Sequence, residues 1–63
     1  MEFISKKELE GPNGEHWFEG EVYTLTRRDL VALNDADLLS NFQPVGDGAQ
    51  ALFDEVGAMN NDQ

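Results

Sequence analysis

The sequence predicts one small α+β domain, in which an antiparallel sheet of two or three strands packs against two or three short helices. Three observations predict this fold class. β-forming side chains dominate the first 25 residues and are separated by a turn signal. A helix-capping pattern begins at Thr26. From residue 47 onward, apolar residues recur with helical spacing.

The N-terminal part of the chain predicts the strands. Residues 1–5 alternate in part, with Phe3 expected to face the core, and residues 10–15 contain proline and Asn-Gly, which favour a tight turn. Beyond this turn, Gly20 interrupts a run of β-forming residues, as a bulge or a second tight turn would. The run comprises Trp17, Phe18, Val22, Tyr23 and Leu25. Two or three antiparallel strands therefore fit residues 1–25.

The middle of the chain predicts helix. Thr26 and Asp29 have the spacing of a capping box, with a hydroxyl at the N-cap and a carboxylate three residues later. We expect this helix to end at Asn34. Asp35 is expected to cap a second short helix that runs through Phe42, and one helix bent at Asn34–Asp35 is the alternative. The apolar face of the first helix comprises Leu30, Val31 and Leu33.

The last segment predicts a helix with Asp47 as its N-cap and Gly57 as its C-terminal cap. Its apolar residues recur at i, i+3, i+4 and i+7, which defines one face of a helix. These residues are Ala49, Leu52, Phe53 and Val56. We expect a single domain over residues 1–59 and a C-terminal tail over residues 60–63.

The composition limits what can stabilise so short a chain. A domain of 63 residues buries only about 60% of its unfolded surface, and its core is expected to supply roughly 3–5 kcal/mol. The sequence has no cysteine and one histidine, which excludes disulfides and thiolate metal sites and leaves no recognisable metal-ligand spacing. We expect no metal and no cofactor, and we expect further stability to come from a partner protein or from self-association.

The charge is acidic and unevenly distributed. Thirteen acidic residues oppose four basic ones, the net charge is −9, and no Lys or Arg follows Arg28. Because such a surface repels phosphate, we expect neither nucleic acid nor an anionic membrane as a partner. No apolar run approaches the roughly 20 residues that span a bilayer, and residues 1–7 lack the segment order of a secretion signal. We expect the chain to be intracellular at synthesis.

No set of residues in the sequence predicts catalysis. His16 has no serine, cysteine or second histidine at a diagnostic spacing, so an exposed histidine at the edge of a turn is the simpler interpretation. Alternation on a strand would place Glu19 and Glu21 on one face, roughly 7 Å apart, but a chain of this size has no room for a substrate cleft. We expect no catalytic residue, no enzymatic activity and no small-molecule substrate.

The aromatic residues are the first candidates for binding a partner protein. Trp17 and Phe18 point to opposite faces if both lie on a strand, so one of them must lie outside a single-sided core. A large uncovered ring exposes about 150–250 Å², and protein interfaces are enriched in such rings. Tyr23 is the third aromatic candidate in this stretch.

Two adjacent arginines, Arg27 and Arg28, are the second kind of candidate. In the first turn of a helix they oppose the helix dipole, which favours acidic residues there. One interpretation is that they are retained to bind carboxylates at an interface. The other is that both are solvated and partly balanced by Glu19 and Glu21, since surface ion pairs rarely contribute more than about 1 kcal/mol.

The order of these elements resembles the Mu-like prophage FluMu-type N-terminal domain, found among small proteins of tailed-phage head modules. In that pattern a strand leads through a loop into a Leu-Thr-x-x-x-Leu-x-x-Leu helix, followed by a short apolar strand. The matching residues are Leu25, Thr26, Leu30 and Leu33, with Val45 in place of the final strand. The resemblance covers about residues 1–45, and it departs at residues 35–42 and at the added helix from Asp47. It implies an accessory protein of the virion or of head assembly, without enzymatic activity.

Three functional hypotheses follow for the chain. The first is a minor capsid, cement or head-assembly subunit that is located in the virion and binds a major capsid protein or copies of itself. The second is a small acidic inhibitor that mimics nucleic acid and occupies a basic channel on a host protein. The third is a domain of a toxin–antitoxin or other regulatory complex.

Overall fold

The computed structural model describes residues 1–59, over which two antiparallel sheets and two α-helices confirm the α+β fold class. The first sheet has three strands in the order β4-β1-β5, and the second is a two-stranded hairpin of β2 and β3. In chain order the elements are β1 (Glu2–Ser5), β2 (Leu9–Glu10), β3 (His16–Trp17), β4 (Val22–Thr24), α1 (Arg27–Asp35), a 3-10 turn (Leu39–Asn41), β5 (Phe42–Val45) and α2 (Asp47–Ala58).

The central strand β1 defines the two faces of the three-stranded sheet. Phe3 pairs with Tyr23 on β4 and with Pro44 on β5, and Ser5 pairs with Phe42. Phe3 and Phe42 are fully buried, so these residues form the inner face, which the helices cover. The prediction that Phe3 faces the core is confirmed.

The first 25 residues contain four short strands instead of the two or three that we expected. The run of β-forming residues from Trp17 to Leu25 is split because Glu19-Gly20 forms a turn, which the N–H of Glu21 closes by donating to the carbonyl of Phe18 at 3.2 Å. Gly20 has φ 81°, a backbone conformation that favours glycine. Both predicted roles for Gly20 are confirmed. Beside the turn, the carbonyl of Ser5 accepts from the N–H of Gly20 at 2.8 Å, and the N–H of Ser5 donates to the carbonyl of Glu21 at 3.1 Å, so two residues face one as in a bulge.

Helix α1 begins with the predicted capping box. The N–H of Asp29 donates to Oγ1 of Thr26 at 3.2 Å, and the N–H of Thr26 donates to Oδ2 of Asp29 at 2.9 Å. Leu30 and Leu33 are buried as expected. Asn34, which we expected to end the helix, is its penultimate residue, and its side-chain amide donates to the carbonyl of Val56 in α2 at 3.1 Å.

The prediction of a second helix from Asp35 through Phe42 is wrong. Asp37 adopts φ 63°, and the N–H of Leu38 donates back to the carbonyl of Leu33 at 2.8 Å, which ends α1 and reverses the chain. Only the 3-10 turn follows, and Phe42 is extended because it pairs with Ser5 in β1. Pro44 lies in the same edge strand, where a missing N–H is tolerated.

Helix α2 has the predicted apolar face, since Ala49 and Val56 are buried and Leu52 and Phe53 pack against the core. Both of its predicted caps are wrong by a residue or more. The N-cap is Gly46, at φ 93°, and Asp47 is the first helical residue. The helix continues through Gly57 to Ala58, so Gly57 is not its cap. Residues 60–63, predicted as a tail, lie outside the described residues.

One apolar core joins both sheets to both helices. Trp17 of the hairpin meets Phe42 of β5 edge to face, with ring centroids 5.2 Å apart. Phe3 of β1 meets Phe53 of α2 at 6.4 Å. The buried members of the core are Phe3, Trp17, Leu25, Leu30, Leu33, Leu39, Phe42, Ala49 and Val56.

The capping box makes a measurable contribution to stability. We expect Thr26→Ala to lower the free energy of unfolding by about 1 kcal/mol, because the N–H of Asp29 loses its acceptor. For a domain of this size that loss lowers the melting temperature by roughly 4–8 °C. Thr26→Ser is the matched control, since it retains the hydroxyl. Thermal unfolding followed by circular dichroism tests this, and equal melting temperatures for the two variants would contradict it.

Candidate protein-docking surfaces

The structure separates the two adjacent aromatic rings of Trp17 and Phe18. Trp17 is 7% exposed, whereas Phe18 is 55% exposed. Leu9, opposite Trp17 in the hairpin, also packs against the core. The hairpin therefore has one apolar inner face, and the expectation that one ring lies outside the core is confirmed for Phe18.

The backbone beneath the Phe18 ring is held by the fold. Its N–H donates to Oη of Tyr23 at 2.8 Å, and its carbonyl accepts from the N–H of Glu21 in the Glu19-Gly20 turn. The ring of His16 lies against that of Phe18, with centroids 4.5 Å apart. Tyr23, which was a predicted docking residue, is itself half-buried against the core. Its hydroxyl holds the backbone of Phe18 in place. An exposed ring on a fixed backbone loses little conformational entropy on binding.

The outer sheet face adds aliphatic surface near this turn. We define it as the side of the three-stranded sheet opposite the helices, which carries Glu2, Ile4, Val22, Thr24, Gln43 and Val45. Ile4 and Val22 pair at the end of β1 near the turn, whereas Val45 pairs with Glu2 at the other end. Val22 is 51% and Val45 is 41% exposed, and Val22 pairs directly with Ile4. Since Phe18 begins the Glu19-Gly20 turn and Val22 follows it, the two exposed side chains flank one turn.

Acidic side chains border the exposed ring. Nε2 of His16 lies 2.7 Å from Oε2 of Glu8, and Nδ1 lies 3.8 Å from Oε2 of Glu10. His16 is exposed, as predicted, and lies on β3. Its charged neighbours on this strand pair are carboxylates, so this edge of the hairpin combines an aromatic pair with negative charge.

Glu19 and Glu21, which alternation on a strand would place on one face, do not share a strand face. Glu19 lies in the turn, and Glu21 precedes β4. Neither is the partner of the arginines. Arg27 instead donates from Nη1 to Oε2 of Glu55 on α2, which corrects the expected balance by Glu19 and Glu21. Because both groups of this pair are about half exposed, it stabilises the packing of the two helices by at most about 1 kcal/mol.

Arg28 lies at a pocket on a different part of the surface. The Trp17 pocket, as we name it, has a volume of about 240 Å³ and lies between the Pro12-Asn13 turn and helix α1. Its charged lining comes from Glu15, Arg28 and Asp29, and its apolar lining from Pro12, Trp17, Leu25, Ala32 and Leu33. Among the described residues, Arg28 has no carboxylate oxygen within 4.0 Å.

Gly11 leaves the space that the Trp17 ring occupies. A Cβ at this position would lie 2.5 Å from the outer edge of the indole, so any larger residue would displace the ring. Glycine is therefore required here for close approach.

The predicted binding residues thus belong to three places in the fold. Phe18 and its support Tyr23 lie at the Glu19-Gly20 turn, Trp17 and Arg28 line the pocket, and Arg27 joins the helices. Over residues 1–59 there is no cluster of three His, Asp or Glu side chains suited to a metal ion. Neither described helix is long and apolar enough to cross a membrane.

Comparisons of the chain with protein-family models, with curated proteins and with solved structures find no match. The resemblance to the FluMu-type domain therefore stays a prediction.

No pattern in the sequence predicts two features of these surfaces. The Trp17 pocket combines residues 12–17 with α1, and the Arg27–Glu55 pair spans 28 positions. Both depend on how the elements pack. The exposure of Val22 could have been found from alternation, because its neighbour Tyr23 faces inward.

The two aromatic rings have separable roles that mutation can test. We expect Trp17→Ala to cost about 3–5 kcal/mol, as large-to-small changes of buried aromatic residues do. This loss is comparable to the roughly 3–5 kcal/mol that a core of this size supplies, so the variant should be largely unfolded. Phe18→Ala should cost less than about 1 kcal/mol, since it removes only the contact with His16.

Urea denaturation followed by far-ultraviolet circular dichroism measures both changes. Equal losses of stability at the two positions would contradict the separation of roles. So would a folded Trp17→Ala variant together with an unfolded Phe18→Ala variant.

Proposed function

We propose that this chain is a non-enzymatic accessory subunit of a tailed-phage head, which docks onto neighbouring capsid subunits through Phe18 and the outer sheet face. In this role it is made in the host cytoplasm and resides in the virion as a minor capsid, cement or head-assembly protein. The phage setting rests on the resemblance to the FluMu-type domain. The docking role rests on the geometry of residues 1–59.

The observation that carries the docking role is the 55% exposure of Phe18 on a backbone that Tyr23 holds in place. Interface hot spots are commonly aromatic side chains surrounded by residues that contribute less energy but exclude water. Val22 and Ile4 of the outer sheet face supply such aliphatic surroundings. A partner that covers Phe18 gains the burial of a ring without having to order a mobile segment.

The charge of the chain favours a different protein as the partner over a second copy of itself. Each copy carries a net charge of −9, and two such copies repel each other within roughly the 8 Å Debye length of physiological salt. The shell of a phage head offers many equivalent positions. Repeated weak contacts with such an array hold a small subunit through avidity.

A nucleic-acid mimic is the second candidate, and the net charge of −9 favours it. Such a mimic displays its carboxylates to the partner. Here Glu8 pairs with His16 and Glu55 pairs with Arg27, so these two carboxylates are engaged by basic side chains of the chain itself. This arrangement favours the docking subunit over the mimic.

Quantification of the chain in purified particles tests the proposed function. In particles produced from the genome that encodes the chain, native mass spectrometry should find the wild-type protein at a high, symmetric copy number. Phe18→Ala should reduce incorporation by about tenfold or more, as loss of a hot spot does. Glu19→Ala is the matched control, because it changes an exposed neighbour in the same turn and should be incorporated normally.

Particles that lack the wild-type chain would overturn the virion role. Equal incorporation of the Phe18→Ala and Glu19→Ala variants would overturn the role of Phe18. Recovery of the chain in a stoichiometric, salt-sensitive complex with a basic host enzyme would support the mimic instead.

A further inference from the structure

The Trp17 pocket is a second surface with a different chemistry from Phe18. Its apolar lining, which we call its floor, includes the indole of Trp17 and the aliphatic side chains of Leu25 and Leu33. Its volume of about 240 Å³ lies below the roughly 300–1,000 Å³ of small-molecule sites. That size suits a single long side chain better than a substrate or cofactor.

Two carboxylates at this pocket are fixed by the backbone of the chain. Oε1 of Glu15 accepts from the N–H of Asn13 at 2.9 Å, and Oδ2 of Asp29 accepts from the N–H of Thr26 at 2.9 Å. Each of these bonds engages one oxygen, and a carboxylate has a second oxygen that can accept further hydrogen bonds. The acceptors are therefore positioned before any ligand arrives, which lowers the entropy cost of binding.

The charge around the pocket determines which kind of side chain fits it. Two carboxylates, Glu15 and Asp29, oppose one guanidinium, Arg28, at the lining, and the chain as a whole carries −9. The field of such a chain attracts cations and repels anions. An occupant with an apolar stem and a cationic head matches both the floor and the lining.

We propose that the Trp17 pocket binds an arginine side chain of a protein partner. The aliphatic stem of that arginine lies against Trp17, and its guanidinium donates to Glu15 and Asp29. Arginine fits better than lysine because its planar fork offers five donors and it is less strongly hydrated. The proposal extends the docking function by naming the chemistry of a second contact, and it does not require Phe18.

Arg28 opposes the binding of a cationic side chain in this arrangement, whereas Glu15 and Asp29 favour it. Its guanidinium lines the same pocket, and no carboxylate of residues 1–59 lies within 4.0 Å of it to neutralise its charge. It therefore repels an incoming cation and weakens binding. A carboxylate-bearing occupant would instead depend on Arg28, so the sign of the effect of Arg28 distinguishes the two chemistries.

The test uses the purified chain and N-acetyl-L-arginine methylamide as the probe, followed by two-dimensional ¹H–¹⁵N NMR. Trp17 is the single tryptophan of the sequence, so its indole N–H gives an unambiguous signal at the pocket. We expect saturable shifts of this signal and of residues 13–15 and 26–29, with a dissociation constant on the order of 1 mM. N-acetyl-L-citrulline methylamide, which has the same shape without the charge, should bind at least about fivefold more weakly.

Variants locate the binding groups. Glu15→Gln keeps an oxygen for the N–H of Asn13 and should weaken probe binding about threefold to tenfold. Glu21→Gln removes the same charge outside the pocket and should change binding less than about twofold. Arg28→Gln should strengthen binding by about twofold or more. Melting temperatures establish that each variant is folded.

Several results would overturn the arginine pocket: no saturable shifts, equal binding of the citrulline probe, equal effects of Glu15→Gln and Glu21→Gln, or weaker binding by Arg28→Gln. Phe18→Ala should leave probe binding unchanged. Failure of this variant to enter particles, together with normal probe binding, therefore separates the proposed function from the pocket.

Discussion

The edge-to-face contact between Trp17 and Phe42, at 5.2 Å, is the interaction on which the rest of the structure depends. The β2–β3 hairpin has only two residues in each strand, and a hairpin of that size is not stable alone in water. Burying Trp17 against β5 attaches the hairpin to the core. Because successive side chains along an extended chain point to opposite faces, the Phe18 side chain points to solvent when that of Trp17 packs in the core. The same placement makes the indole the floor of the pocket.

The parts of the fold that could be predicted are those with local causes. The capping box at Thr26 and Asp29 needs only two side chains three positions apart, and it forms as expected. The apolar face of α2 follows from its spacing, and the outward position of one ring follows from alternation.

The parts that could not be predicted depend on tertiary contacts. Phe42 fits the spacing of a helix from Asp35, but pairing with Ser5 and packing on Trp17 make it extended. Asp37 ends α1 with φ 63°, which no local pattern indicates. The partner of Arg27 is Glu55, 28 residues away, and the pocket joins a turn to a helix. The sequence therefore predicts which residues are docking candidates. It does not predict how these residues group into separate surfaces.

Two surfaces of different chemistry, one aromatic and aliphatic and one acidic, agree with the proposed role of a small subunit that contacts more than one neighbour. Both surfaces depend on Trp17 belonging to the core while Phe18 is exposed to solvent. A soluble paramagnetic relaxation agent tests this most directly, because it broadens the NMR signals of side chains according to their exposure. We expect strong broadening of the Phe18 ring protons and little broadening of the Trp17 indole C–H protons in the isolated chain. Equal protection of both rings, or greater exposure of Trp17, would contradict it.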